Sequence, residues 1–190
     1  MNTVLYLVRH ADSQYVPGSE RSRPLSEKGL EDAQNIKALL CKEPIDAFYS
    51  SPYRRAVQTV EAAAAAFGKE VILIEDLRER TLAGDHVFLP GDQFYHIKKQ
   101  LYDDFAYACP GGESSSEAQR RGASAILELL DRSRGQVIAV GTHGDIMTLI
   151  LNFFDPAYHF EFWASTSMPD MYRLVFEGNE LVQLTRCWPA

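Results

Sequence analysis

The chain has 190 residues, 46% of them hydrophobic, and a formal net charge of −7. That length and apolar content suit one compact domain over residues 1–190. The acidic balance weighs against a nucleic-acid partner, since backbone binding rests on clustered Lys and Arg; a small anion can still bind at a local basic site. Cys41, Cys109 and Cys187 are far apart and form no CxxC pair, which points to a reduced, cytoplasmic chain. No leader pattern opens the sequence and no apolar run is long enough to span a membrane, so neither secretion nor a membrane partner is expected.

Residues 4–8 read as a buried strand. A helix follows over residues 24–40, with Ser26 as N-cap and Leu30, Ala33, Ile36, Leu39 and Leu40 at helical spacing. Residues 45–49 form a second strand. Residues 51–67 form a second helix, with Ser51 as N-cap, Pro52 at the first helical position and Gly68 past the end. A third strand covers residues 71–74. The stretch 84–112 is less regular, with a short helix over 93–102. A helix over 114–130, a strand over 136–140 and a helix over 145–152 come next. Residues 171–176 and 181–185 make a hairpin turning at Gly178-Asn179. The alternation predicts an α/β three-layer sandwich: a mostly parallel central sheet, an antiparallel edge strand, and a short lid insertion at about 84–112.

Polar clusters follow the strands. Arg9-His10 follows the first, Ser50 to Arg55 the second, Leu77 to Arg80 the third, and Gly141-Thr142-His143-Gly144-Asp145 the fourth. Ligands of open α/β sheets bind at the carboxyl ends of parallel strands, so the four clusters converge on one pocket. Their chemistry suits a phosphoryl group. Arg9 and Arg55 offer bidentate forks, helix N-termini supply N–H donors, an imidazole can act as nucleophile, and a carboxylic acid can protonate a poor leaving group. Glu79 is the best-placed acid, with Asp145 the alternative.

With those motifs the sequence resembles the histidine phosphatase superfamily, its phosphoglycerate-mutase-like branch and the broad-specificity phosphatase type. The resembling segments, in order, are Leu7 to Ala11, Pro24 to Gly29, Ser50 to Thr59, Leu77 to Glu79, Pro110 to Ser114 and Thr142 to Gly144. The resemblance implies a phosphomonoester hydrolase with His10 as the phosphorylated nucleophile. Arg9, Arg55 and His143 form the phosphate pocket, and Glu79 is the general acid and base. It implies no metal and no organic cofactor, a small phosphomonoester as substrate and inorganic phosphate as product or ligand. Two positions depart from the family pattern: Ala11 stands where Gly is usual, and Asp12 where Glu or Gln is. Ser13, Arg80, Asp145 and Gly144 are secondary candidates. Arg80 is simplest as an exposed loop charge, Asp145 as a first-turn acid, and Glu113 as a helix anchor.

A mutase built on the same pocket needs a second anion site. The 84–112 insertion carries Lys98 and Lys99 but also Asp85, Asp92, Asp103 and Asp104, which favours hydrolysis over phosphate transfer. Its Phe88, Phe94, Tyr95, Tyr102, Phe105 and Tyr107 suit an apolar leaving group or a well-packed lid. A non-catalytic phosphate-binding protein is the remaining alternative, disfavoured because the nucleophile and both arginines are present. Natural substrate and oligomeric state are open at this stage.

Overall fold

A computed structural model describes residues 2–15, 18–84, 87 and 91–189. Asp85, His86 and Phe88 lie outside the described residues. Six strands form one sheet in the order β3-β2-β4-β1-β5-β6. They are β1 (Asn2–Arg9), β2 (Ala47–Ser50), β3 (Val71–Leu73), β4 (Val137–Thr142), β5 (Asp170–Glu177) and β6 (Glu180–Arg186). The first four are parallel to one another; β5 pairs antiparallel with β1, and β6 antiparallel with β5. β1 has a neighbour on each side and helices over both faces. That explains why residues 4–8 are continuously apolar rather than alternating.

The period-two alternation of the strands divides the core into two. Leu5, Leu7, Ile138 and Val140 face α4 (Ser115–Arg132) and α5 (Gly144–Phe154), meeting Ile126, Leu130, Ile146 and Ile150. Tyr6, Val8, Phe48 and Ala139 face the other way. They meet Ile36 and Leu40 of α1 (Glu27–Leu40) and Val60 and Ala63 of α2 (Arg54–Ala66). The result is the three-layer α/β arrangement expected. Two short helices complete it: α3 (Phe94–Asp103), inside the irregular stretch, and α6 (Phe160–Ser165). α6 was not foreseen, since six residues carry too little periodicity to register. No helix of the described residues is long and apolar enough to cross a membrane.

Helix starts show where local chemistry was read well and where it was not. Ser26 Oγ accepts the Gly29 N–H at 3.0 Å, and Ser114 forms a reciprocal capping box with Glu117. Ser51 does not cap α2, which begins at Arg54. Its Oγ accepts the Tyr53 N–H at 3.2 Å and pairs with His143 Nε2 at 2.8 Å, so it closes a local turn and Pro52 stays outside the helix. The cluster at Leu77 to Arg80 follows β3, as expected. A 3₁₀ turn over Glu75–Leu77 leads into it, driven by full burial of Leu77.

The segment after β1 is pinned to the start of α1. Ser26 N–H donates to the Asp12 carbonyl at 3.0 Å and Ser26 Oγ to Asp12 Oδ2 at 2.5 Å. Gly29 permits this approach, because a Cβ there would collide with the Asp12 carbonyl and lie 3.2 Å from Leu25 Cβ. Gly29→Ala is therefore expected to lower stability by about 1–3 kcal/mol, although alanine is the better helix former. Urea unfolding checks this, and an unchanged or raised midpoint would contradict the close approach.

Candidate functional site

Strand register builds the centre of the site. Arg9 of β1 is paired with Thr142 of β4, so the next residues, His10 and His143, leave the sheet side by side. Their rings meet edge to face with centroids 5.2 Å apart. His10 Nδ1 lies 2.7 Å from the Ala11 carbonyl, which can only accept, so Nδ1 carries the proton. Nε2 of the neutral ring is then left with its lone pair, which accepts the Arg55 Nε–H at 3.1 Å. Burial, then the nearby Arg55 charge, hold His10 well below the ordinary histidine value. The same two causes act on His143, which is fully buried. Ala11 is accommodated by a small cluster with Leu25 and Ala33, and its amide donates to Thr59 Oγ1 at 3.0 Å.

Two arginines flank the His10 ring. Arg55 projects from the first turn of α2, 1% exposed; beyond His10 it reaches the Glu20 carbonyl at 2.5 Å and Glu20 Oε2 at 3.3 Å. Arg9 donates through Nη1 to Thr166 Oγ1 at 2.6 Å, while its buried Nε has no partner among the described residues. Gly144 lets the start of α5 lie on the Arg9 guanidinium, since a Cβ there would stand 2.8 Å from Arg9 Cζ. Both arginines and His10 line a cavity of about 1040 Å³, together with Ser13, Arg23, Tyr53, Glu79, Arg80, Lys98, Phe94 and Trp163.

Glu79 is held by backbone amides. Its Oε1 accepts Arg80 N–H and Ile146 N–H, each at 2.9 Å, and Oε2 accepts Asp145 N–H at 3.2 Å. The carboxyl thus sits at the N-terminus of α5, beside His143. Behind it lies a buried ion cluster. Arg80 Nε and Nη2 reach Asp145 Oδ2 at 3.1 and 2.9 Å, Lys98 Nζ pairs with the same oxygen, and Tyr102 donates to Oδ1 at 2.9 Å. Burial alone would raise the Asp145 carboxyl, but Lys98 and Arg80 outweigh it and hold it at about 2.

A family model described as the histidine phosphatase superfamily (branch 1) matches residues 5–182. The chain belongs to that superfamily. Among relatives of this histidine phosphatase is phosphoglycerate mutase-like protein 4 of Arabidopsis thaliana, 31% identical over 93% of this chain and 81% of the relative. Metal-independent phosphoserine phosphatase of the same plant is 31% identical over 78% of this chain and 67% of the relative. A solved histidine-to-alanine variant of Entamoeba histolytica phosphoserine phosphatase, in complex with phosphoserine, superposes with a TM-score of 0.76. It covers 96% of both chains at 22% identity, a likeness of fold.

Within this histidine phosphatase, His10, Arg9, Arg55 and Glu79 converge on the cavity as the sequence suggests, while His143 stands behind His10 rather than on the cavity wall. Two expectations need correcting. Arg80 is not an exposed loop charge; it is 4% exposed, because Asp145 and Ser115 hold it inside. Asp145 does stand in the first turn of α5, but it is not available as the alternative proton donor: it is buried, engaged by Arg80, Lys98 and Tyr102, and does not line the cavity. Of the two readings of the aromatics in residues 84–112, an apolar substrate wall or packing, the described side chains mostly fit packing. Tyr102 and Phe105 turn into the core, and among the described residues only Phe94 of the group lines the cavity, joined by Trp163 of α6. Arg23 went unnoticed, since nothing in its local sequence marks it; it lines the cavity with a buried, unpartnered Nε.

Two buried neutral histidines have a consequence for stability. Unfolded histidine titrates near about 6.5, so below that pH the unfolded chain binds more protons than the folded one. Stability is therefore full above about pH 6.5 and falls as pH drops, by up to about 1.4 kcal/mol per pH unit for each ring. Urea midpoints between pH 5 and 7.5 are expected to fall less steeply for His143→Asn than for the parent; parallel slopes would refute the neutral ring.

Proposed function

We propose that this histidine phosphatase hydrolyses phosphomonoesters through a phosphohistidine on His10. The observation that carries the reading is the single lone pair on His10 Nε2, fixed by the Ala11 carbonyl and presented beside Arg55 at the cavity. Arg9 and Arg55 surround the phosphoryl oxygens with fixed positive charge that needs no reorganisation as the reaction proceeds. His143, fully buried off the cavity wall, packs against His10, and Ser51 Oγ, 2.8 Å from its Nε2, holds it there.

In the first step His10 Nε2 attacks phosphorus and the bond to the ester oxygen breaks. That oxygen takes the proton of the Glu79 carboxyl and leaves as an alcohol. In the second step Glu79, now a carboxylate, takes a proton from water as the water oxygen attacks phosphorus. The P–N bond breaks, its electrons return to Nε2, and inorganic phosphate leaves. Residues 84–112 act as a lid over this chemistry. Hydrolysis is favoured over phosphate transfer because neither lid lysine is spare: Lys98 pairs with Asp145, and Lys99 with Asp103.

His10→Ala is expected to reduce phosphate release from p-nitrophenyl phosphate by on the order of 1,000-fold or more. Acid-quenched parent enzyme should yield an acid-labile labelled phosphoprotein that the variant lacks. Activity that survives His10→Ala would refute the mechanism. Interconversion of phosphoglycerates faster than phosphate release would replace hydrolysis with transfer.

A further inference from the structure

Of the three backbone amides that hold the Glu79 carboxyl, those of Arg80, Asp145 and Ile146, the first two belong to residues with charged side chains. Their side chains are joined to each other by a salt bridge that is 0% and 1% exposed. Glu79 therefore sits inside a closed ring: amide of residue 80, guanidinium of Arg80, carboxylate of Asp145, amide of residue 145, and back to Glu79. The ring ties two distant parts of the chain, the segment after β3 and the start of α5. Two bonds fasten it to α3 directly and two more do so through Ser115 of α4. Lys98 Nζ and Tyr102 O–H reach the same carboxylate, and Arg80 Nη1 donates to Ser115 Oγ at 2.7 Å, which in turn donates to the Leu101 carbonyl. Lys98 is held on its outer side by the rings of Phe94 and Trp163, 5.6 and 5.2 Å from Nζ.

We infer that Asp145 is a positioning residue that sets the orientation of Glu79 and couples it to the docked position of α3. The inference rests on the reading of Glu79 as proton donor. Among the described residues the donor has no side-chain partner of its own; its place is defined by where residue 80 and residues 145 and 146 stand, and the Asp145 carboxylate ties these two segments together. A buried carboxylate shared by two cations and a hydroxyl has one well-defined arrangement, because losing any partner leaves buried charge uncompensated. With α3 docked, all four groups are satisfied and Glu79 is aligned. With α3 displaced, Lys98 and Tyr102 leave, and the ring loses two of its anchors.

A misplaced proton donor has a signature that a general loss of structure lacks. An ester with a good leaving group needs little protonation, whereas an alkyl phosphate needs it fully. Asp145→Asn is therefore expected to lower kcat/KM for an alkyl phosphate at least about tenfold more than for p-nitrophenyl phosphate. Glu79→Gln serves as reference and shows the same bias more strongly. Tyr102→Phe and Lys98→Met, which loosen only the α3 side, show it more weakly; they carry the test should Asp145→Asn fail to fold. Equal losses on both substrates, or none, in the Asp145, Tyr102 and Lys98 variants alongside a biased Glu79→Gln would overturn the inference and leave the proposed function standing. A Glu79→Gln variant without the bias would remove the proton-donor reading, and the inference with it.

Discussion

The parallel pairing of β1 with β4 is the constraint on which the site depends. Each strand alone delivers a histidine to a loop. Paired with Arg9 opposite Thr142, they deliver two rings in contact, one above an arginine from the same strand. A shift of one residue in this register would turn Leu5 and Leu7 to the opposite face of the sheet, so the core that fixes the register also fixes the distance between the histidines. The β2 tip is set by the same logic, since Ser50 pairs with Gly141 and brings Ser51 within reach of His143. The geometry of the centre is thus inherited from packing on both faces of the sheet.

Charge is distributed against the grain of the whole chain. The protein is net acidic by seven, yet the cavity gathers Arg9, Arg21, Arg23, Arg55, Arg80 and Lys98 against Asp12, Glu20 and Glu79. Among these, the buried Arg80 and Lys98 are paired with Asp145 and the buried Arg55 with the half-exposed Glu20, whereas Arg21 pairs with Glu75 at the exposed rim. Removing one partner from a cluster as buried as that of Asp145 typically costs about 3–5 kcal/mol, so this cluster holds the cavity wall as well as its potential. The two histidines remain neutral in that field, and neutrality is what a nitrogen nucleophile requires.

Much of this was legible in the sequence, for identifiable reasons. β1 and β4 were visible because they are buried on both sides, and Ser26 and Ser114 because capping is local chemistry. That His10, Arg9 and Glu79 share one cavity was legible because each lies at or after a strand end and strand ends converge. What was hidden depends on distant partners. Ser51 looks like a cap until His143, 92 positions away, claims it. Asp145 looks like an ordinary first-turn acid until Lys98 and Arg80 arrive from 47 and 65 positions away. Arg23 lies in an unpatterned connector, and the short α6 that supplies Trp163 has no period to detect.

The hydrogen bond from Arg55 to His10 has a consequence for selectivity of a different kind. A ring nitrogen whose lone pair is engaged by a guanidinium is a sluggish partner for stray electrophiles such as alkylating or acylating metabolites. An anion that competes for the guanidinium draws that donor away and releases the lone pair in the same motion. On the proposed role of His10, recognition of negative charge and release of the attacking lone pair are then one event.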